Sequence, residues 1–328
     1  MVRMCWLYFN RAGSELMIAG ELQSLAKARG LGQVPLQDEP LSRHTSYRVG
    51  GPADFYTVIR NEHQLCGWVV LAREIKLPCL IMGRGTNLLV ADKGFRGLVV
   101  ENRALDFAID DTSDTVHAEA GVPVAALARE TAARGYAGLE WAIGIPGTIG
   151  GAIVSNAGAF DGSMADVVRR VSILDQAGQI RELTPRELSL GYRTSRFREE
   201  ASRGEAILSA NLSLAPESTE VLRRRMIAYD SLRRERQPTK PSAGSVFKNP
   251  PGLFAGQLIE EAGLKGKAIG EAQVSPKHAN YIVNLGSAKA EDVQRLISLI
   301  REEIWTRFDV QLELEIELVG EWGNGRVH

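Results

Sequence analysis

The sequence predicts an α+β protein built from more than one domain. At about 100–200 residues per domain, its 328 residues correspond to two or three domains. From residue 53 onward, short strand-like segments alternate with amphipathic helical patterns. The segment CLIM (79–82) runs into a glycine loop, GRGTN (83–87), which is followed by further strands. This order differs from the strand–loop–helix order of a Rossmann unit.

Composition places the chain among ordinary globular proteins. Hydrophobic residues make up 44% and charged residues 24%, which argues against a disordered or fibrous protein. Thirty-nine basic residues against forty acidic residues leave a formal net charge of −1. The chain therefore lacks the positive field of a nucleic-acid or membrane-surface binder, and any anion site must be local. We expect a monomer that acts on small molecules.

The cysteine, histidine and apolar patterns predict no disulfide, no metal site and no membrane span, respectively. Cys5, Cys66 and Cys79 are too few and too irregularly spaced for a disulfide framework or a zinc cluster. The five histidines show no paired spacing, so no metal is assigned. The longest weakly polar stretch, 142–154, is too short to cross a bilayer, and the N-terminus shows no signal-peptide pattern. The expected location is the cytoplasm.

Helices are predicted where apolar residues recur every three or four positions and a capping or breaking residue marks an end. In order, they are 14–29, 62–76, 123–134, 217–236 and 290–308. Ser14 caps the first helix and Gly30 ends it. Pro123 begins the third, where its missing N–H does no harm, and Gly135 ends it. The arginine-rich fourth helix stops at Pro238.

Strands are predicted from β-branched or alternating segments between turn residues. In order, they are 53–59, 79–82, 88–92, 97–101, a strand-rich stretch over 103–120, 168–175, 179–184, 205–214 and 311–320. Gln176-Ala177-Gly178 joins two of them as a hairpin. The glycine-rich segment 144–158 is predicted to be a loop. In the last strand, alternation puts leucine and isoleucine on one face and Glu313, Glu315 and Glu317 on the other.

Two glycine-rich loops are the first candidates for a binding site. GRGTN offers glycines that permit close backbone approach, with Thr86 and Asn87 as side-chain donors for a diphosphate. Alone, it is more simply a tight turn between strands, and it matches neither a Rossmann fingerprint nor a P-loop. Segment 144–160 places glycines in an apolar run, which favours a bulky ligand against the backbone over a packed glycine turn. Together the loops indicate a long phosphorylated cofactor.

Seven segments occur in the order typical of one enzyme family. They are HTSYRVGGPAD (44–54), MGRGTNLLV (82–90), GLEWAIGIPGTIGGAIVSNAGAF (138–160), GYRTSRFR (191–198), PSAGSVFKNP (241–250), AQVSPKHANYIVN (272–284) and LELEIELVG (312–320). Over about residues 38–320 the chain resembles the UDP-N-acetylenolpyruvoylglucosamine reductases. It resembles their shorter subtype, since no long tyrosine-bearing insertion follows the YR motif.

The resemblance implies a two-part FAD-binding domain of the vanillyl-alcohol-oxidase type, followed by a smaller α+β substrate-binding domain. The domains implied are an N-terminal helical extension (1–37), FAD-binding subdomain 1 (38–102), FAD-binding subdomain 2 (103–216) and the substrate-binding domain (217–322). This division leaves open whether the last strand returns to the FAD domain.

The resemblance also implies a reaction and its cofactors. NADPH, as co-substrate, reduces a non-covalently held FAD, which then reduces UDP-N-acetylglucosamine enolpyruvate to UDP-N-acetylmuramate for peptidoglycan synthesis. The cofactor-binding residues implied are Gly83, Arg84, Gly85, Thr86, Asn87, Leu88, Gly144, Pro146, Gly147, Thr148, Gly150, Gly151, Asn156, Ala157 and Gly158.

Three residues are assigned to the chemistry by the resemblance. Hydride addition to the alkene leaves negative charge beside a carboxylate, and that charge must be stabilised where it develops. Arg193 would bind the carboxylate, Ser245 would protonate the carbanionic carbon, and Glu315, kept protonated by burial, would polarise the carboxylate. Without the resemblance, Arg193 would be interpreted as a surface arginine, Ser245 as a turn cap and Glu315 as one of three exposed strand glutamates.

Tyr192, Arg236, Lys248 and Asn249 are the expected substrate-binding residues, because a UDP group needs local positive charge. Arg236 stands near where family members carry a lysine, and its simpler interpretation is a solvated helix face. Glu317 stands where some members carry a basic residue, so substrate contacts there are in doubt.

Two other functions stay open on the sequence. One is a different flavin oxidoreductase on the same fold, which would exchange electrons with a hydroxy acid and ignore the enolpyruvyl sugar. The other is a UDP-sugar or flavin-binding protein without turnover, which would be yellow yet would not consume NADPH when the sugar is supplied.

Overall fold

A computed structural model of the protein describes residues 15–32 and 34–323, with the side chains of 15–18 left aside. The predicted N-cap Ser14 lies outside these residues. The first helix, α1 (Glu15–Ala28), packs on α2 (Glu62–Glu74), with Leu22 of α1 and Trp68 of α2 in one core. The Trp68 indole N–H donates to the Leu31 carbonyl at 3.1 Å. The predicted helical extension therefore packs against the first sheet unit.

The first unit is built on a four-stranded mixed sheet. Its strands are β1 (Leu36–Pro40), β2 (Pro52–Ile59), β3 (Cys79–Met82) and β5 (Phe95–Asn102), in the spatial order β1-β2-β5-β3. β5 runs parallel to both of its neighbours, whereas β1 is antiparallel to β2. Strand β4 (Leu88–Val90) lies outside this sheet. The boundary predicted between residues 37 and 38 falls inside β1, because that strand pairs with β2 from Leu36.

The second unit centres on a five-stranded antiparallel sheet. In chain order its elements are β6 (Phe107–Asp110), β7 (Thr115–Glu119), α3 (Val124–Ala133), β8 (Tyr136–Ala137), α4 (Ile149–Val154), β9 (Gly158–Ala159), β10 (Gly162–Ser163), α5 (Met164–Val167), β11 (Val168–Leu174), β12 (Ile180–Leu183), α6 (Pro185–Leu188), β13 (Ala206–Ser213) and β14 (Ala215–Pro216). The sheet order is β12-β11-β13-β7-β6. The β11–β12 hairpin predicted from Gln176-Ala177-Gly178 is confirmed.

The third unit combines helices with a small three-stranded sheet. Its elements are α7 (Thr219–Arg236), α8 (Ala255–Glu261), β15 (Ala268–Ile269), β16 (Ala272–Val274), β17 (Ile282–Asn284), α9 (Ala290–Phe308) and β18 (Glu317–Val319). The predicted face of α9 is confirmed, since Val293, Leu296, Ile297, Ile300 and Ile304 are buried. Tyr47 and Leu89 from the first unit share this core, so apolar burial joins the two units.

The glycine-rich segment predicted to be a loop contains a helix, α4. Thr148 caps it by accepting a hydrogen bond from the Gly151 N–H at 3.4 Å. The Gly150 N–H donates to the Ala120 carbonyl at 2.9 Å, where an added Cβ would lie 3.0 Å from Ala120 Cβ. The prediction was wrong because these glycines permit close packing of a short helix against β7, not only a turn.

The predicted last strand, 311–320, is interrupted at Glu315. The Glu315 N–H donates to the Val246 carbonyl at 2.9 Å, whereas the Glu317 N–H donates to the Asn87 carbonyl at 2.8 Å. The chain thus leaves the third unit, bends, and continues as β18 in parallel with β4. Regular alternation fails because the two halves have different partners, and Glu315 is largely buried with its side chain only 19% exposed.

A loop of the first unit caps the longest helix of the third. Asp92 accepts hydrogen bonds from the N–H groups of Ala290 (2.9 Å) and Glu291 (3.0 Å), the first two residues of α9. A carboxylate at a helix N-terminus satisfies free donors and interacts favourably with the helix dipole. Asp92, in the first unit, therefore fixes the start of α9 in the third unit.

Replacing Asp92 with alanine should lower the free energy of unfolding by about 1–2 kcal/mol, the usual value for a lost N-terminal cap. Urea denaturation followed by circular dichroism measures the change. The matched control is Lys93→Ala, because the exposed Lys93 ammonium lies 3.9 Å from Glu321 and should contribute less than about 0.5 kcal/mol. Equal stabilities of the two variants would contradict a capping role for Asp92.

Candidate active site

The two glycine loops that the sequence predicts as a binding site lie against each other. A Cβ added to Gly83 would sit 2.5 Å from Thr148 Oγ1, and one added to Gly147 would sit 3.5 Å from Thr86 Oγ1. Gly85 has a φ of +59° and would place a Cβ 2.3 Å from the His44 carbonyl, so only glycine fits there. The loops therefore face each other at a separation that excludes larger side chains.

Unpaired backbone donors line both loops. The N–H groups of Gly85, Thr86, Gly147 and Thr148 have no hydrogen-bond acceptor within the part of the chain that the structure describes. Buried backbone N–H groups in native proteins are almost always paired, and Gly85 and Thr148 are buried, so these donors favour a bound ligand. Several convergent N–H groups form an anion-binding concavity suited to a diphosphate. The fit of these loops to a dinucleotide cofactor rests on this observation.

Other predicted cofactor residues have partners within the protein. A Cβ on Gly158 would lie 2.6 Å from the Gly162 carbonyl, so tight packing within the β9–β10 hairpin accounts for this glycine. The Asn156 amide donates to the Gly191 carbonyl at 2.8 Å and accepts from the Ala165 N–H at 2.9 Å. These side chains and backbones position the site, and a direct contact with cofactor stays a prediction for them.

The remaining predicted cofactor residues lie within the two glycine-rich segments or, for Leu88, directly after the first. Arg84, Gly144, Pro146 and Gly151 are exposed, whereas Leu88 and Ala157 are partly buried. An added Cβ on Gly144 would lie 3.0 Å from Arg233 Cδ. This contact brings α7 close to the second loop.

Arg193 and Glu315, far apart in the sequence, form an ion pair. Arg193 Nε lies 2.8 Å from Glu315 Oε1, although its N–H does not point along that line, so the contact is electrostatic rather than an aligned hydrogen bond. Another N–H of the guanidinium donates to the Gly158 carbonyl at 2.7 Å. Arg193 has a left-handed φ of 52°, held by a tight turn between Gly191 and Thr194. This geometry aims the guanidinium at the glutamate.

Ser245 is brought beside Glu315 by backbone pairing. The Val246 carbonyl accepts from the Glu315 N–H at 2.9 Å, and the Lys248 N–H donates to the Glu313 carbonyl at 2.9 Å. The Ser245 side chain also lies near Tyr281 and lowers the pKa of that hydroxyl, against the larger effect of burial. The three residues predicted for the chemistry therefore occupy one place in the structure.

Burial dominates the electrostatics of this cluster. It raises the pKa of the Glu315 carboxyl, and the nearby cations Arg193, Arg198 and Lys248 only partly oppose this. Burial also raises the pKa of Tyr281. Desolvation, together with the neighbouring Arg193, lowers the pKa of the Arg233 guanidinium. Burial makes this carboxyl easier to protonate than an exposed glutamate, and once protonated it can donate a hydrogen bond to an anion.

Of the arginines on α7, Arg233 rather than the predicted Arg236 reaches this cluster. Arg236 is exposed, whereas Arg233 is partly buried and its guanidinium lies 5.7 Å from the Phe160 ring centre. Phe160 in turn stacks on Tyr229 at 4.3 Å between ring centres. The sequence analysis missed Arg233 because six arginines crowd this helix. It also missed Tyr281, although that residue lies within one of the quoted motifs.

The other predicted substrate residues lie at the edge of the cluster. The exposed Tyr192 hydroxyl accepts a hydrogen bond from the Asn249 N–H at 3.3 Å, and the Asn249 side chain accepts from the Ala255 N–H at 3.0 Å. The Lys248 ammonium lies 3.3 Å from Glu313. These residues flank the Arg193–Glu315 pair without closing over it.

One direct contact, and a second one that runs through Ser46, join the glycine loops to the segments that carry the Arg193–Glu315–Ser245 cluster. The Asn87 amide donates to the Glu315 carbonyl at 3.1 Å, so this side chain is engaged within the protein rather than free for a diphosphate. Ser46 donates its N–H to the Gly85 carbonyl at 3.1 Å and its hydroxyl to the Ser242 carbonyl at 2.7 Å. The anion cradle and the titratable cluster are therefore parts of one site.

Over residues 15–32 and 34–323, no group of three or more potential metal-ligating His, Cys, Asp or Glu residues occurs. The helices within those ranges include none that is both long and apolar enough to cross a membrane.

Comparisons with known proteins agree with this geometry. A family model described as an FAD binding domain matches residues 53–184, which contain both glycine loops. A second model, the C-terminal domain of UDP-N-acetylenolpyruvoylglucosamine reductase, matches residues 237–319, which contain Ser245 and Glu315. Together with the observed helices and sheets, these matches confirm the predicted α+β fold with an FAD-binding part.

Whole-chain relatives point the same way. The UDP-N-acetylenolpyruvoylglucosamine reductase of Heliobacterium modesticaldum is 44% identical over 292 residues, covering 88% of this chain and 91% of the relative. The enzyme of the same name from Moorella thermoacetica is 43% identical over 309 residues, covering 94% of this chain and 98% of the relative. The crystal structure of the Thermus caldophilus enzyme superposes with a TM-score of 0.74 at 35% identity, covering 87% of this chain and 98% of that enzyme's chain.

Gly83→Ala should weaken FAD binding at least about tenfold, roughly 1.4 kcal/mol. The added methyl would lie 2.5 Å from Thr148 Oγ1 and 2.8 Å from its Cγ2, so the loops must separate. Titration of flavin into flavin-free protein measures the effect. Gly20→Ala, where an added Cβ meets nothing within 4 Å, is the control.

Adding Thr148→Ala to Gly83→Ala removes the colliding atoms and should restore part of the lost affinity. If the double variant binds FAD no better than the single one, contact between the loops does not govern binding.

Proposed function

Because the chain belongs to the UDP-N-acetylenolpyruvoylglucosamine reductase family, we propose that it reduces UDP-N-acetylglucosamine enolpyruvate to UDP-N-acetylmuramate in peptidoglycan synthesis. NADPH is the proposed source of electrons and FAD, held non-covalently, the proposed carrier. The protein would act as a monomer in the cytoplasm. The observation that carries the proposal is the direct contact between a diphosphate-type cradle and a partly buried Arg–Glu–Ser cluster.

The residues present fit the cofactor that the family requires. Free N–H groups of Gly85, Thr86, Gly147 and Thr148 would hold its diphosphate. When bound, FAD supplies a two-electron carrier between the nicotinamide and the substrate alkene. The protein's own part is to place the alkene at that carrier and to exclude water from the charged intermediate.

Arg193 and Glu315 would bind the enolpyruvyl carboxylate. The guanidinium supplies positive charge, and the neutral carboxyl, favoured by burial, donates a hydrogen bond. Both interactions strengthen as the carbon next to the carboxylate gains charge, so they stabilise the transition state more than the ground state. Arg233, which lies within electrostatic range of Arg193, adds positive potential for the substrate's anionic groups.

Ser245 would deliver a proton to the carbon that becomes negatively charged. A serine hydroxyl is a weak acid in water, so the alkoxide left behind requires a nearby donor. The Tyr281 hydroxyl lies near Ser245, and burial raises the pKa of Tyr281 and so favours its protonated form. We expect this hydroxyl to stabilise the alkoxide until a proton returns from solvent.

The function is tested with purified protein by recording the visible spectrum and following NADPH consumption with and without UDP-N-acetylglucosamine enolpyruvate. We expect a flavin spectrum and oxidation of NADPH that depends on the sugar. A yellow protein that exchanges electrons with a hydroxy acid and ignores the sugar would contradict the proposed substrate. A flavin-binding protein that never turns over would contradict the enzymatic function.

Ser245→Ala should separate the two half-reactions. Flavin reduction by NADPH should stay within about twofold, while flavin reoxidation by the sugar should slow by about 10²–10⁴, the usual contribution of general acid catalysis. Stopped-flow absorbance measures both steps. The control is Ser242→Ala in the same loop, since Ser242 contributes its carbonyl rather than its side chain. Equal loss in both half-reactions would show that Ser245 has another role.

Glu315→Gln should change the pH dependence of the sugar step. The proposal requires the protonated carboxyl, so reoxidation of the flavin should slow as pH rises through the raised pKa of Glu315. A glutamine donates a hydrogen bond at every pH. In the variant the reoxidation rate should therefore no longer fall at high pH, which is the alkaline limb of the rate–pH profile. Glu313→Gln is the control, because that side chain is 75% exposed and pairs with Lys248. An unchanged limb in Glu315→Gln would assign the titration to another group.

A further inference from the structure

Arg198 contacts the segment that carries Glu315, but no step of the proposed reaction uses it. One N–H of its guanidinium donates to the Glu315 carbonyl at 3.1 Å, and the same nitrogen lies 3.1 Å from Glu317 Oε1. The side chain is only 17% exposed, and its Nε–H has no acceptor within the described ranges. A long cation held this tightly, without full pairing, indicates a role beyond surface charge.

The base of Arg198 is fixed by the same segment that presents Arg193. Residues Arg196–Arg198 form a 3-10 turn, and the Arg198 N–H donates to the Ser195 carbonyl at 3.0 Å. The buried Ser195 hydroxyl donates to the Val154 carbonyl, at the end of α4, at 2.7 Å. Both arginines therefore reach Glu315 from one rigid support.

The Glu315 carbonyl accepts hydrogen bonds from two side chains, Asn87 at 3.1 Å and Arg198 at 3.1 Å. These bonds hold the peptide at the bend where the chain changes partner, and that peptide determines where the carboxyl group points. Asn87 is neutral, so Arg198 is the contact that also brings charge. Glu317, 42% exposed, draws the guanidinium toward the solvent side of the bend.

We propose that Arg198 is a positioning residue for Glu315, and that Glu317 restrains Arg198 and so sets how strongly its charge acts on the Glu315 carboxyl. The inference rests on the proposed function, in which Glu315 acts in its neutral form.

The groups that face Glu315 set the direction of the expected effects. Cations come from Arg193, Arg198 and Lys248, a neutral hydroxyl comes from Tyr281, and Glu313 and Glu317 lie on the same segment. Loss of Arg198 removes a cation, so the Glu315 carboxyl should ionise at higher pH. Loss of the Glu317 charge removes an anion and frees Arg198, so ionisation should occur at lower pH. Replacing one or the other member of the Arg198–Glu317 pair should therefore shift the pH at which Glu315 ionises in opposite directions.

The test compares Arg198→Met, Arg198→Lys and Glu317→Gln as complete FAD-loaded proteins. In Arg198→Met, the alkaline limb of flavin reoxidation by the sugar should move up by about one pH unit, with a maximal rate about tenfold lower. Glu317→Gln should move the limb down by about half a unit. Arg198→Lys should restore the position of the limb because it keeps the charge. It should recover only part of the rate, since an ammonium lacks the planar fork.

Flavin reduction by NADPH is the control within each variant, and Arg203→Met is the matched control variant. Arg203 pairs with Glu200 at 3.2 Å on the surface and should leave both half-reactions unchanged. If Arg198→Met slows both half-reactions equally, or leaves the limb in place, the positioning role is overturned.

A second measurement does not depend on turnover. Infrared difference spectra of each protein against its Glu315→Gln counterpart follow ionisation of this one carboxyl without substrate. The midpoint should rise in Arg198→Met and fall in Glu317→Gln, and equal midpoints would overturn the inference. Shifted midpoints in a protein that does not act on the enolpyruvyl sugar would refute the proposed function while leaving the positioning role intact.

Discussion

The site depends on one constraint, the change of partner in the C-terminal segment at Glu315. On one side of the bend the Glu315 N–H is bound to Val246 in the third unit, and on the other side the Glu317 N–H is bound to Asn87 in the first. A straight strand would satisfy only one of these partners. The bend turns Glu315 inward, although alternation predicts an outward side chain. The ion pair with Arg193 and the proximity of Ser245 both follow from this geometry.

Left-handed backbone occurs close to the same pair of residues. Asn156, Phe160, Asp161 and Arg193 have φ values between 40° and 64°. Phe160-Asp161 is the two-residue turn of the β9–β10 hairpin, where such values are usual, and asparagine tolerates them, so the cost of about 1–3 kcal/mol falls mainly on Arg193. The cost is offset by specific bonds, from the Asn156 amide to the Gly191 carbonyl and from the Arg193 guanidinium to the Gly158 carbonyl. These bonds place strained backbone where the arginine must be held rigidly, which agrees with a site that stabilises developing charge.

Much of the fold could be predicted from local signals, whereas the site depended on tertiary contacts. The apolar face of α9 and the β11–β12 hairpin follow from periodicity and turn residues alone. Glycine spacing could not reveal α4, because Gly150 reflects packing on Ala120 rather than a turn. Nor can alternation separate Glu315 from Glu313 and Glu317, since a bend made by distant partners leaves no local pattern. The motif resemblance supplied that distinction, but gave no reason to favour Arg233 over the other arginines of its helix.

Strand β18 has a consequence for how the polypeptide matures. β4 lies in a two-stranded sheet whose other member is β18, so the first unit is completed by residues that are made long after its own. A nascent chain emerges from the ribosome N-terminus first and its domains tend to fold in that order. Until Glu317–Val319 leaves the exit tunnel, Leu88–Val90 has an unpaired edge, which is a hazard for association with other chains. Loss of Glu317–Val319 would thus leave Leu88–Val90 without its partner strand, although the two segments lie more than 200 positions apart in the sequence.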